Sequence, residues 1–227
     1  MKLGLFTDAH YSSVSGPEVL ERIKKAFAAF QKEKCDLVVF LGDLLHDDVS
    51  HEKEIQNLKA VGEVFQEFGK PVFAVVGNHD TNLFTKDEFY QFLGEKFRPH
   101  TVEMNGILFL FVDGCYFQSG EEYRPGRTGG VDTWYPYTDA LRRELERFSG
   151  ENAYVFTHQV LDLSSGGVQR IQNAAQIRCV LEESGKVCGV FLGHSYTLVE
   201  SDINGIHYMT LPAMHDGDGA YYILKLQ

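Results

Sequence analysis

Apolar residues follow two alternating patterns along the first third of the chain. Residues 3–7, 37–41 and 72–76 are short, nearly continuous apolar runs, suited to strands buried on both faces. Between them, residues 17–34 place Val19, Leu20, Ile23, Ala26, Phe27 and Phe30 at helical spacing, and residues 50–68 do the same with Ile55, Leu58, Val61, Val64, Phe65 and Phe68. The order is β-α-β-α-β. Crossovers of this kind are right-handed and leave the strands parallel, so the pattern predicts a parallel sheet covered by helices. Asp8, Asp43 and Asn78 follow the three runs at intervals of 35 residues. All three are expected at one sheet edge, in the crevice beyond the carboxyl ends of the strands where open α/β sheets bind ligands.

Past residue 100 the pattern changes. Runs at 100–104 and 107–112 flank Asn105-Gly106, a two-residue hairpin signal, and the sheet is expected to turn antiparallel there. A helix over 138–148, a strand over 154–157, a helix over 169–183 and a strand over 187–192 follow. Asn204-Gly205 marks a second hairpin between 197–202 and 206–211, and 220–226 reads as a closing strand. Residues 115–137 have no clean period and are rich in glycine and proline, including Gly120, Pro125, Gly126, Gly129, Gly130 and Pro136. Long irregular segments in folded domains are often functional loops.

Composition narrows the class. With 227 residues, 44% hydrophobic and 23% charged, the chain is expected to form one domain over 1–227. Lysine and arginine number 21 against 32 acidic residues, a net charge of −11, which opposes long nucleic acid and anionic membranes as partners. Cys35, Cys115, Cys179 and Cys188 form no CxxC pair, so neither a zinc ribbon nor a redox dithiol is suggested. The N-terminal apolar run is broken at Asp8, short of a signal segment, and nothing approaches a membrane span, so a cytoplasmic protein is expected. The chain has neither a G-x-S-x-G elbow nor a G-x-x-x-x-G-K-[ST] loop, which leaves serine hydrolases and P-loop NTPases without their signatures.

Five polar clusters each follow a predicted strand: Asp8-Ala9-His10, Gly42-Asp43, Gly77-Asn78-His79-Asp80, Thr157-His158 and Gly193-His194-Ser195-Tyr196. Any one of them is an ordinary turn. Together they bring carboxylates, an amide oxygen and imidazoles to one edge, a donor mixture that suits Mn, Fe or Zn and not Ca. In this order the clusters resemble the calcineurin-like metallophosphoesterases, whose pattern is D-x-H, G-D, G-N-H-[DE], H, G-H-x-H, and the resemblance spans residues 8–196. It implies a four-layer α-β-β-α sandwich, two mixed β-sheets flanked by helices, with a two-metal site at the sheet edge. Asp8 and His10 would bind the first metal, Asp43 would bridge, and Asn78, His158 and His194 would bind the second. His79 would stand near the leaving-group oxygen, with Asp80 holding its ring. Two cations roughly 3.5–4 Å apart can clamp a phosphoryl oxygen and generate hydroxide beside it.

The last motif departs from that pattern, which expects a second histidine, serving the first metal, where Tyr196 stands. Three outcomes are open: Tyr196 binds as a phenolate, the first site is weak, or His46 reaches in, with Asp47 behind it. His46 lies three residues after Asp43, the offset at which the purple acid phosphatase branch places a tyrosine ligand. His215, before the closing strand, is a further candidate for an outer ligand or substrate contact. His51, His100 and His207 have no motif around them.

Substrate choice would fall to the irregular loop. Tyr123 and Trp134 can stack on a base, and Arg124 or Arg127 can pair with a second phosphate; aromatic packing of the loop onto the domain explains the same residues. The resulting expectation is a hydrolase of small phosphodiesters, phosphomonoesters or pyrophosphates, nucleotide-like by preference, acting by direct attack of hydroxide generated at the metals. The competing expectation is a scaffold that has lost catalysis and works as a protein-interaction module.

Overall fold

The computed structural model describes residues 1–12, 16–46, 50–128, 132–162, 170–217 and 219–226. Asp47, Gly129 and Gly130 lie outside the described residues.

The expected crossovers form. Strands β1 (Lys2–Phe6), β2 (Leu37–Phe40) and β3 (Val72–Ala74) pair in parallel, and helices α1 (Gly16–Lys32) and α2 (His51–Glu67) link them. Ser50 caps α2 by accepting from the Lys53 N–H, with Glu52 and Glu54 in the first turn, where the helix dipole favours acids. Two short helices, α3 (Asp80–Leu83) and α4 (Lys86–Leu93), follow β3. The apolar pattern misses both, yet a reciprocal capping box between Thr85 and Glu88 opens α4.

The second half departs from the expected antiparallel sheet. Strand β4 (Val102–Met104) does pair antiparallel with β5 (Ile107–Val112), across Asn105 and Gly106 at φ 53° and 75°, the positive values that a type I′ turn needs. From β5 onward, however, β6 (Asn152–Thr157), β7 (Val187–Leu192) and β9 (Ile206–Thr210) run parallel: helices α5 (Thr138–Arg147) and α6 (Ala174–Ser184) carry the chain back to β6 and β7, and the strand before β9 carries it back to β9. Only β8 (Val199–Ile203), hairpinned onto β9, is antiparallel again. Strand β10 (Tyr221–Lys225) closes the first sheet beside β1, giving sheet orders β10-β1-β2-β3 and β4-β5-β6-β7-β9-β8.

Alternation along the strands builds the layers. Leu3, Leu5, Leu37, Val39 and Phe73 on one face of the first sheet share a core with Ile107, Phe109, Phe156 and Phe191 of the second. Phe6, Val38 and Phe40 on the other face pack under α1 and α2 with Phe27, Phe30 and Phe65. Leu108, Leu110, Val155 and Val190 pack under α5 and α6 with Leu141, Ile177 and Leu181. The result is the four-layer α-β-β-α sandwich. Side chains on both faces of each parallel strand are buried, so polar groups gather where the strands end.

Candidate metal centre

Those ends carry backbone strain. Among the described residues, eight non-glycine residues have positive φ, and five of them are Asp8 (51°), His10 (46°), Asp43 (57°), His194 (69°) and Tyr196 (61°). Strain of this kind clusters at functional sites and persists only where the surroundings hold it. Here pairing continues beyond the strands: the Asp8 N–H donates to the Gly42 carbonyl at 3.0 Å, His10 to Asp43 at 3.1 Å and Tyr11 to Leu44 at 2.8 Å. Gly42 faces His158 so closely that an added Cβ would stand 2.6 Å from ring atom Nδ1, and a Cβ on Gly77 would overlap the Asp43 carboxylate. The glycines before Asp43 and Asn78 are therefore steric requirements.

Two donor groups share Asp43. Asp8, His10 and Asp43 offer atoms within 4.8 Å of one another, and so do Asp43, His158 and His194. Asp8, Asp43 and His158 are fully buried and His10 is 6% exposed. Asp8 Oδ2 accepts from Thr7 Oγ1 at 2.6 Å and from the His194 N–H at 2.9 Å, whereas Asp8 Oδ1 has no hydrogen-bond partner among the described residues and stands 3.6 Å from His10 Nε2. Asp43 Oδ1 accepts from the His79 N–H at 2.8 Å; Oδ2 lies 3.1 Å from His158 Nε2 and 3.9 Å from His10 Nε2. Buried carboxylate oxygens left without hydrogen bonds are costly. Asn78 Oδ1 is likewise buried and without a hydrogen-bond partner among the described residues. Oxygens and imidazole nitrogens converging this way fit divalent transition ions.

The second of these groups is aimed by its own contacts. His158 donates from Nδ1 to the Leu41 carbonyl at 2.8 Å, which turns Nε2 toward Asp43 and toward His194 Nδ1, 3.0 Å away. Burial would lower the His158 pKa, but Asp43 raises it to about 9. Burial, and then His158, push His194 down to about 4. Burial works against ionisation of Asp43 too, yet His158 holds its carboxyl well below the usual carboxylate range.

Asp80 has a different place from the expected one beside the His79 ring. Its carboxylate accepts four backbone N–H groups: Asp43 at 3.0 Å and Gly77 at 2.9 Å on Oδ2, Leu44 at 2.8 Å and Leu45 at 3.1 Å on Oδ1. It staples the Asp43 loop to the Asn78 turn. Burial and the neighbouring Asp43 raise its pKa to about 7, against the pull of the N–H groups of Gly77 and Leu45.

The open side of the centre is a ring of aromatics around His10. His79, His46, Tyr196 and His215 lie with ring centroids 4.9, 5.4, 5.6 and 4.9 Å from it. Tyr196 OH is 3.0 Å from His10 Nε2, and burial together with Asp8 and Asp43 pushes its phenol pKa up, away from the phenolate. His215 donates through its backbone N–H and Nδ1 to the Asp8 carbonyl at 3.1 and 3.3 Å, while Arg22 clamps the His215 carbonyl at 2.6 Å.

The loop candidates are not brought in. Tyr123 is 1% exposed and packs in the α1–α2 core, so it is placed as a core residue. Arg124 and Arg127 are exposed and both pair with Glu121, at 3.0 and 2.6 Å. Trp134 is half-buried and joins the loop backbone to Tyr116 at 2.9 Å. Thr7, the Leu41 carbonyl and Arg22, which position Asp8, His158 and His215, escape sequence reasoning. Only Thr7, standing directly before Asp8, had a local signal.

Residues 1–197 match the family described as calcineurin-like phosphoesterase. The chain belongs to that family. A curated relative, the 3′,5′-cyclic adenosine monophosphate phosphodiesterase CpdA of Haemophilus influenzae, is 25% identical over 230 residues, covering 94% of this chain and 76% of its own. Among solved structures, a dimetal phosphatase from Danio rerio has a TM-score of 0.78 at 14% identity, covering 94% of this chain and 88% of its own. GAP50, the anchor in the inner membrane complex of Plasmodium, has 0.64 at 14% identity, covering 94% and 72%. The two structures share the fold of this calcineurin-like phosphoesterase. No described helix is long and apolar enough to cross a membrane.

Proposed function

We propose that this protein is a metal-dependent hydrolase of small phosphate esters, with a nucleotide-like phosphodiester as the preferred substrate and phosphomonoesters or pyrophosphates as alternatives. The observation that carries the reading is the pair of donor groups meeting at Asp43. Asp8, His10 and Asp43 would hold a first ion, and Asp43, Asn78, His158 and His194 a second, drawn from Mn, Fe or Zn. Bound there, such ions supply positive charge to a phosphoryl oxygen and acidify water for attack. The chain's own part is positional and acid–base. Leu41 fixes the His158 tautomer, Asp80 holds the two ligand-bearing turns together, and His79, half-buried beside His10, donates a proton to the leaving oxygen. The CpdA relative makes cyclic AMP the first substrate to try.

Two observations favour a second reading, a scaffold without catalysis. Tyr196 stands where the family pattern places a metal-binding histidine, and the fold is shared with an anchoring protein. Activity of the manganese-loaded protein toward cyclic AMP and bis(p-nitrophenyl) phosphate decides between the two. His79→Ala is expected to lower kcat by about 10²–10⁴-fold while the metal content stays unchanged. Wild type and His79→Ala being equally inert would leave the scaffold.

A further inference from the structure

We propose that His46 is the fourth protein donor to the first metal, supplying the nitrogen that Tyr196 does not; the inference rests on the two-metal reading above. A ring nitrogen of His46 lies within 4.8 Å of ring nitrogens on both His10 and His79. The His46 ring stands edge-on to His10 at 5.4 Å and stacked on His79 at 5.6 Å. Two nitrogens on one ion are at most about 4.2 Å apart, twice the usual zinc–nitrogen distance. The ring is exposed, on the open side of the centre.

The backbone beneath His46 is held for this purpose. Its N–H donates to the Tyr11 carbonyl at 3.1 Å, and the three residues before it, Asp43, Leu44 and Leu45, all donate to the Asp80 carboxylate. One carboxylate thus fixes the segment carrying both the shared donor Asp43 and His46. The other rings near His10 are worse placed to complete a site. His215 has Nδ1 committed to the Asp8 carbonyl and Nε2 2.9 Å from Asp216 Oδ1. Tyr196 offers a phenol oxygen, and as an anion it would put a third negative charge beside Asp8 and Asp43. A neutral imidazole adds a good donor and no charge. The first ion would then have two carboxylates and two imidazoles, Asp8, Asp43, His10 and His46.

The test is metal binding by the full chain, stripped with chelator and reloaded with Mn²⁺ or Zn²⁺. Ions retained after gel filtration are counted by mass spectrometry, and affinities are read by calorimetry. Wild type is expected to hold two ions. His46→Ala, at an exposed position and with unchanged circular dichroism, is expected to keep one tight ion and to bind the other at least tenfold more weakly, since even partners of metal ligands cost about 10–100-fold when lost. Tyr196→Phe is expected to stay within about threefold of wild type, below that range. Two ions held by His46→Ala as tightly as by wild type overturn the assignment and leave the hydrolase reading to the His79→Ala assay. A wild-type chain that retains no ion overturns both.

Discussion

The two halves of the centre are built differently. The half around His158 and His194 is closed by its ties: His158 is fully buried, the Leu41 carbonyl takes its Nδ1 proton, and half-buried His194 is tied through its backbone N–H to Asp8. The half around His10 is open, with exposed His46 and Tyr196 and half-buried His79 and His215 crowding one imidazole. A closed half keeps its donors aimed and holds a cation tightly. An open half has spare rings and room for change, so a lost histidine there can be replaced from a neighbouring loop. The second ion is accordingly expected to bind more tightly than the first.

The sharpest way to break this comparison is to remove what the halves share. Asp43→Ala deletes the carboxylate common to both donor groups, and both ions are expected to be lost together. Phosphoesterase activity should fall by more than about 100-fold, beyond the range for losing an outer partner of a ligand. Metal counting with an activity assay checks it. One ion retained at wild-type affinity would mean that the halves are independent.

Legibility in the sequence followed the same division. The strand ends are readable because both faces of each parallel strand are apolar, so any polar residue after one is conspicuous; Asp8, Asp43, His158 and His194 stand out in this way and converge in space. Helices α3 and α4 do not stand out, since they are short and α4 announces itself by its Thr85–Glu88 cap more than by periodicity. For Asp80, sequence adjacency points to the His79 ring, whereas the carboxylate accepts four backbone N–H groups, three of them 35–37 residues away. Tyr123 shows the ambiguity of aromatic loops: the residue type that can stack on a base also fills a core, and only burial separates the two.

Asp80→Asn probes the staple beneath both halves. An amide oxygen can accept some of the four N–H groups, but the amide nitrogen confronts the rest, and each buried N–H left unpaired costs about 1–3 kcal/mol. The metal-free protein is expected to lose on the order of 3–5 kcal/mol of stability, read as a lower urea midpoint with unchanged m. Three of the four donors lie in the segment leading to His46, so the first ion should weaken more than the second. A stability change within about 0.5 kcal/mol, the usual range for an inconsequential surface change, would show that the loops hold themselves.

The smallest effect concerns protons. With its pKa raised to about 9, His158 carries both ring protons at pH 7, one on the Leu41 carbonyl and the other facing Asp43 Oδ2 at 3.1 Å, where a cation would bind. His194, pushed down to about 4, is already neutral there. Filling the closed half at pH 7 should therefore release about one proton, and the affinity should rise about tenfold per pH unit and level off above pH 9. Calorimetry in two buffers of different ionisation enthalpy measures the release. The same shift acts on folding in the metal-free protein: the folded pKa lies above the unfolded 6.5, so the His158–Asp43 pair stabilises fully below that pH and its contribution is lost as pH rises through about 9. Metal uptake without proton release would mean that the cation does not take the place of the His158 proton, and that the closed half is not where the tighter ion binds.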